Sequence, residues 1–162
     1  MSAVDGFPYK ELADIPIPRD VQPGPGWSAQ MREMADHIGA YDTLIISERY
    51  GGQDVYIPID AAKNPFHPLI GAAKSRAISF VYGRLTLAIP TARYALNVAR
   101  RASIIAAVRS DMLTVAHAAR IMGVRRDYAS KLVNRTQEGL GAEPPAIGRK
   151  VDPRQIDMFA EA

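Results

Sequence analysis

Apolar residues recur at helical spacing along two stretches of the chain, and short extended runs between glycine and proline stops separate them. Trp27, Met31, Met34, Ala35 and Ile38 fall near a 3.6-residue period, which predicts an amphipathic helix over 28–38 that stops at Gly39. Asp42 is placed to cap a second helix through Tyr50, with Gly51 as its stop. Gln53–Ile57 then reads as a short strand closed by Pro58. Pro65 and Pro68 forbid a helix interior over 61–68. Pro68 suits the first position of a third helix running to Tyr82, with His67 as candidate cap and Gly83 as stop. Leu85–Ile89 is a second strand candidate, closed by Pro90. Thr91 is placed to cap a long Ala/Arg-rich helix reaching about Ser110, and shorter helical segments follow at 115–122 and 126–136.

The ends of the chain differ from this. Pro8, Pro16, Pro18, Pro23 and Pro25 rule out a long helix before Gly26, so 1–26 is expected to be a flexible arm. Gly139, Gly141, Pro144 and Pro145 predict a flexible tail over 138–162, ending in a short apolar motif. Between them lie a helical lobe, 27–90, and a long helix leading into a second unit, 91–137.

The lobe contains a repeat. Residues 46–58 read ISERYGGQDVYIP and 78–90 read ISFVYGRLTLAIP, at a constant offset of 32. Ile46/Ile78, Ser47/Ser79, Tyr50/Tyr82, Gly51/Gly83, Ile57/Ile89 and Pro58/Pro90 are identical. The repeated unit is helix end, glycine stop, strand, proline stop. A lone strand leaves its backbone groups unpaired, so the two are expected to pair as a ribbon over the helices of a pseudo-twofold lobe. The fold class that follows is mainly α, a helical lobe with a small two-stranded β-ribbon, followed by a helix-turn-helix.

That helix-turn-helix is read from VAHAARIMGVRRDYASKLVN at 115–134. The motif needs two short helices at a steep angle, the second free to enter a major groove. Gly123 supplies the turn and Ala119, four positions earlier, the close helix contact. Ala118, Met122, Val124, Ala129 and Leu132 take the inward positions. Thr114 caps the first helix, and Asp127 suits the start of the second through its dipole. Arg126, Asp127, Ser130, Lys131 and Asn134 then point outward, with Arg125 in the turn. Arginine pairs bidentately with guanine and asparagine with adenine, while Lys131 and Arg135 suit phosphates.

Charge sharpens this. Nine Lys/Arg and two acids lie between Thr91 and Arg135, a segment charge of +7 that leaves −4 for the rest of the +3 chain. Such a concentration is the footprint of a polyanion binder, here double-stranded DNA. There are no cysteines, which excludes disulfides and thiolate sites and fits a cytoplasmic setting. The start of the chain is acidic and proline-rich where a signal peptide would be basic and then apolar. No run approaches the roughly 20 apolar residues of a membrane span. His37, His67 and His117 lack metal-ligand spacing, and neither a nucleophile elbow nor a phosphate loop is present. The expectation is a protein that is not an enzyme and needs no cofactor.

YGGQDVYIP at 50–58, followed by a helix-turn-helix, resembles the Mor/C family of phage transcription activators over about residues 28–136. In that family a helical dimerisation domain ends in a glycine pair and a similar strand. The resemblance implies a homodimer that binds promoter DNA, touches it through the strand region as well, and engages host RNA polymerase. By it, Gly51 and Gly52 permit the bend, and Gln53 and Tyr56 are DNA-proximal. Three departures stand out. Asp54 is an extra residue within the motif, Ile59-Asp60 stands where a basic residue is expected, and the motif occurs twice. A duplicated motif can build within one chain what the family builds from two.

Gln155, Ile156, Asp157, Met158 and Phe159 are similar to the peptide that partners of the bacterial sliding clamp insert into the clamp. The sequence thus favours a phage-type transcription regulator. Its rivals are a DNA-packaging or replication accessory protein and a clamp-binding adaptor.

Overall fold

Ser28 starts the first helix as expected, its hydroxyl accepting a bond from Met31 N (3.2 Å). Helix α1 (Ala29–Ile38) buries Met31, Met34 and Ile38, three of the residues at helical spacing. Gly39, at φ +91°, breaks it, and α2 (Ala40–Tyr50) begins at once. The computed structural model describes residues 6–135, which hold six α-helices and one two-stranded antiparallel sheet. After α2 come β1 (Asp54–Tyr56), α3 (His67–Tyr82), β2 (Thr86–Ala88), α4 (Arg93–Arg109), α5 (Val115–Met122) and α6 (Arg126–Asn134). The predicted tail over 138–162 and its motif, Gln155 to Phe159, lie outside the described residues.

The two strands pair with each other, as the repeat predicts, with Val55 opposite Leu87, Asp54 opposite Ala88 and Tyr56 opposite Thr86. Val55 and Leu87 stand 32 residues apart, so repeat-equivalent residues meet at the centre of the ribbon. The flanking bonds come in pairs shifted by the same offset. Gly52 N donates to Ile89 O and Arg84 N to Ile57 O; Ile89 N donates to Gln53 O and Ile57 N to Leu85 O. A pseudo-twofold axis therefore runs through the lobe. The equivalence reaches further back than residue 46. Gly71 breaks α3 at φ +83° as Gly39 separates α1 from α2, and Thr43 and Ser75 are both fully buried. Gly51 and Gly83 are needed for space. A Cβ on either would lie 2.4 Å from the carbonyl oxygen four residues earlier, Ser47 and Ser79 respectively.

Three apolar clusters stack along the molecule. The first, beneath the ribbon, holds Phe66 and three repeat-equivalent pairs, Ile46/Ile78, Val55/Leu87 and Ile57/Ile89. The second joins Trp27, Met31 and Leu44 to the first half of α4 through Ala95, Leu96 and Ala99. The third joins the second half of α4, through Ile104, Ala107 and Val108, to α5 and α6. Helix α4 is the shared beam between lobe and hairpin.

Several expectations are corrected. The 1–26 arm lacks a long helix but is not free where it is described. Ile17 is buried in the second cluster, and Phe7 and Ile15 in the third, because the proline-broken strap carries apolar side chains that two clusters need. Asp42 caps nothing. Helix α2 starts two residues earlier, and the buried Asp42 carboxylate pairs with Lys74 Nζ. His67 is the first residue of α3 rather than its cap. Buried Asn64 organises that start, its Oδ1 accepting from Phe66 N (2.9 Å) and its Nδ2 donating to Ser79 Oγ (3.1 Å). Thr91 does not cap α4, because its backbone packs on Gly51; Ala92, at φ +51°, precedes the helix instead.

Candidate nucleic-acid interface

Helix α5 starts at Thr114, whose exposed hydroxyl accepts from His117 N (3.2 Å). It ends at Gly123 in the left-handed region (φ +67°). Val124 N donates back to Ala119 O (3.0 Å) and Gly123 N to Arg120 O (3.3 Å), the paired closure of a Schellman turn. That turn aims the chain directly into α6. Ala118 and Ala129 are fully buried where the two helices cross, and their small side chains permit the close approach. Met122 is buried, with Val124 and Leu132 packed at the margin, so every inward position named from the sequence faces the core.

The opposite face of α6 is open. Arg125, Arg126, Asp127, Lys131, Asn134 and Arg135 are exposed, and Ser130 is half-buried. With Ala129, Leu132 and Val133 inward, the helical period places Asp127, Lys131 and Asn134 on the outermost line. Arg126 and Ser130 form one shoulder, Tyr128 and Arg135 the other. Tyr128, 45% exposed, is a surface residue that the sequence reading passed over. Its spacing of seven from Arg135 was the available signal. An aspartate at this centre can accept from cytosine N4, and the neighbouring asparagine can bridge adenine.

Two of the nine cations counted between Thr91 and Arg135 turn away from this face. Arg100 is buried, donating from Nε to Ile15 O (3.0 Å) and pairing with Glu48. Arg109 donates to Val133 O from Nε (3.0 Å) and Nη2 (2.8 Å), and to Arg135 O, thereby tying down the C-terminal carbonyls of α6. Arg100 fastens the strap and Arg109 fixes the pitch of the recognition helix. Of the other seven, Arg101 is half-buried within α4 and Arg93 is exposed at the far end of that helix, while Arg120, Arg125, Arg126, Lys131 and Arg135 are exposed on and around α5 and α6.

Gln53 and Tyr56 are both exposed, Tyr56 at 57% on the outer face of the ribbon. The fold does not bring them beside α6. The ribbon adjoins the N-terminal end of α4 and the hairpin its C-terminal end, and 17 helical residues span about 25 Å. Gly52, at φ +82°, supplies the bend before β1, whereas its counterpart Arg84 adopts φ +70° as a non-glycine residue.

Elsewhere, a cavity of about 410 Å³ lies between the strap and the α1–α2 junction, lined by Arg19, Asp36, Tyr41, Asp42 and Lys74 among others. Burial, with the Glu33 carboxylate nearby, pushes the Tyr82 phenol up to about 12. Among the described residues, no group of three or more His, Cys, Asp or Glu could hold a metal ion, and no helix is long and apolar enough to cross a membrane. Compared with family models, curated proteins and solved structures, the chain matches none.

Proposed function

We propose that this chain is a sequence-specific DNA-binding protein, a cytoplasmic transcription regulator of phage type akin to the Mor/C activators, and that α6 reads its site. The observation that carries this reading is the hairpin geometry. A glycine turn and two buried alanines hold α6 against α5, while its outward face displays arginine, aspartate, lysine and asparagine together. The exposed cations of α5 and α6 supply the phosphate attraction, and Asp127, Asn134 and Arg126 the base-edge chemistry.

The test is binding of the purified chain to duplex DNA across a range of salt, using its own upstream region and a scrambled duplex. Tight binding that prefers the upstream region and weakens steeply with salt supports a regulator, and the slope counts phosphate contacts. Equal binding to both duplexes favours a packaging or replication accessory role. No binding at low salt removes the reading.

A further inference from the structure

The pseudo-twofold lobe carries one recognition helix. The first repeat leaves β1 through Pro58 and re-enters the lobe as α3, whereas the second leaves β2 through Pro90 into α4 and the hairpin. The lobe's internal symmetry therefore stops at the lobe. In helix-turn-helix proteins the symmetry of the DNA site mirrors the symmetry of the protein that reads it.

The ion pair between Asp42 and Lys74 shows why the pairing stays between unlike halves. These residues are repeat-equivalent, 32 apart, and meet across the pseudo-axis. Pairing two first halves would set Asp42 against Asp42, and pairing two second halves Lys74 against Lys74. Asp42 is buried, so facing a like charge there is strongly disfavoured. Only first half with second half places opposite charges together, and one chain holds one of each. The ribbon, the two glycine breaks and the ion pair are all complete within a single chain.

From this we infer that the DNA element taken by this protein is a single, non-palindromic duplex site, read by one α6 of one chain. The inference rests on the DNA-binding reading above and names its ligand class. The lobe acts as a built-in second half that braces the recognition unit, through α4, and the described residues hold no equivalent unit to read an inverted copy of the site. The end of the ribbon formed by Tyr56, Ile59, Phe80 and Leu85 is exposed and apolar, and a second copy seated there would restore twofold symmetry to the complex.

The experiment is selection of bound sequences from a randomised duplex pool by the full chain, with the mass of the resulting complex measured in solution. The expected result is one enriched motif without inverted symmetry, and one chain per duplex. An inverted repeat with half-sites about 10 base pairs apart, bound by two chains, overturns the inference while leaving DNA reading intact. A pool without any enriched sequence removes sequence-specific reading itself, and this inference with it. Sedimentation of the free chain gives a second readout. A monomer across concentration is expected, and a stable dimer that becomes monomeric in Phe80→Glu would assign the second copy to the apolar end and overturn the single-chain site.

Discussion

The two halves of the lobe share a backbone and differ in what they show to their surroundings. Gly39 and Gly71 break their helices alike, Ile46 and Ile78 are both fully buried, and Gly51 and Gly83 admit the same carbonyl contact. Outside those positions the halves diverge. Leu44 of the first half is fully buried against the α4 cluster, whereas its counterpart Arg76 is exposed, because α4 covers one side of the lobe only. Glu48, Gln53, Ala88 and Thr91 at one end of the ribbon correspond to Phe80, Leu85, Tyr56 and Ile59 at the other. Phe80 is 91% exposed, Leu85 53% and Ile59 57%. Since the fold accepts polar or small residues at the equivalent positions, those apolar side chains are not there to hold the lobe together. Shared positions carry the architecture, and unshared ones record what each half packs against or presents.

Substitutions at the shared glycines strike the backbone that the two halves have in common. Gly51→Ala is expected to destabilise the protein by about 3 kcal/mol and Gly83→Ala by about 2 kcal/mol, measured by denaturant unfolding. The first is worse because its Cβ would also approach Thr91 Cα at 2.9 Å, where the chain enters α4. Equal effects would mean that the α4 junction adds nothing to the requirement.

Next comes the ion pair across the axis. Asp42→Lys, which sets lysine against Lys74, is expected to lose about 2 kcal/mol, and adding Lys74→Asp should recover most of it. Failure of the double exchange to recover would show that the pair depends on its asymmetric surroundings rather than on sign alone. Of similar size, but on binding rather than folding, Arg126→Ala and Asn134→Ala should each weaken specific DNA binding by about 1–3 kcal/mol with unfolding midpoints unchanged. Unaltered specificity in both variants would displace α6 from its role.

A smaller effect separates Tyr50 from Tyr82. The Tyr50 hydroxyl donates to Pro65 O (3.2 Å), while the Tyr82 phenol is buried beside the Glu33 carboxylate and its pKa is pushed up to about 12. A raised folded-state value means that the contribution to stability is full below about pH 10 and is lost as the pH climbs toward 12. Tyr82→Phe should therefore flatten the alkaline limb of the stability profile, read from unfolding at stepped pH. An unchanged limb would assign the alkaline loss to other groups. Smallest of all, Phe80→Glu, which copies Glu48 of the other half, should shift stability by no more than about 0.5 kcal/mol. A larger loss would make the apolar end structural after all.

Much of this plan was legible in the residues. The ribbon, its glycine stops and the α5–α6 hairpin were readable because each depends on local spacing: period 3.6, period 2, a glycine where the chain must turn. The wider repeat was also present as Gly39-Ala40 and Gly71-Ala72. It is hard to read there because Asp42 and Lys74 look unrelated until they meet. The arm misled because prolines exclude a helix without excluding burial, and Ile15 and Ile17 find their pockets only in the assembled clusters.

Local spacing along the chain set the elements, their order, the pairing of the strands and the outward chemistry of α6. Tertiary structure decided which cations are engaged by the protein itself. Arg100 reaches a carbonyl 85 residues away and Arg109 the end of another helix, and no local pattern distinguishes either from Arg126. It also decided that α4 covers one side of the lobe. Such choices belong to contacts between distant segments, where burial and charge pairing are settled only once both partners are in place.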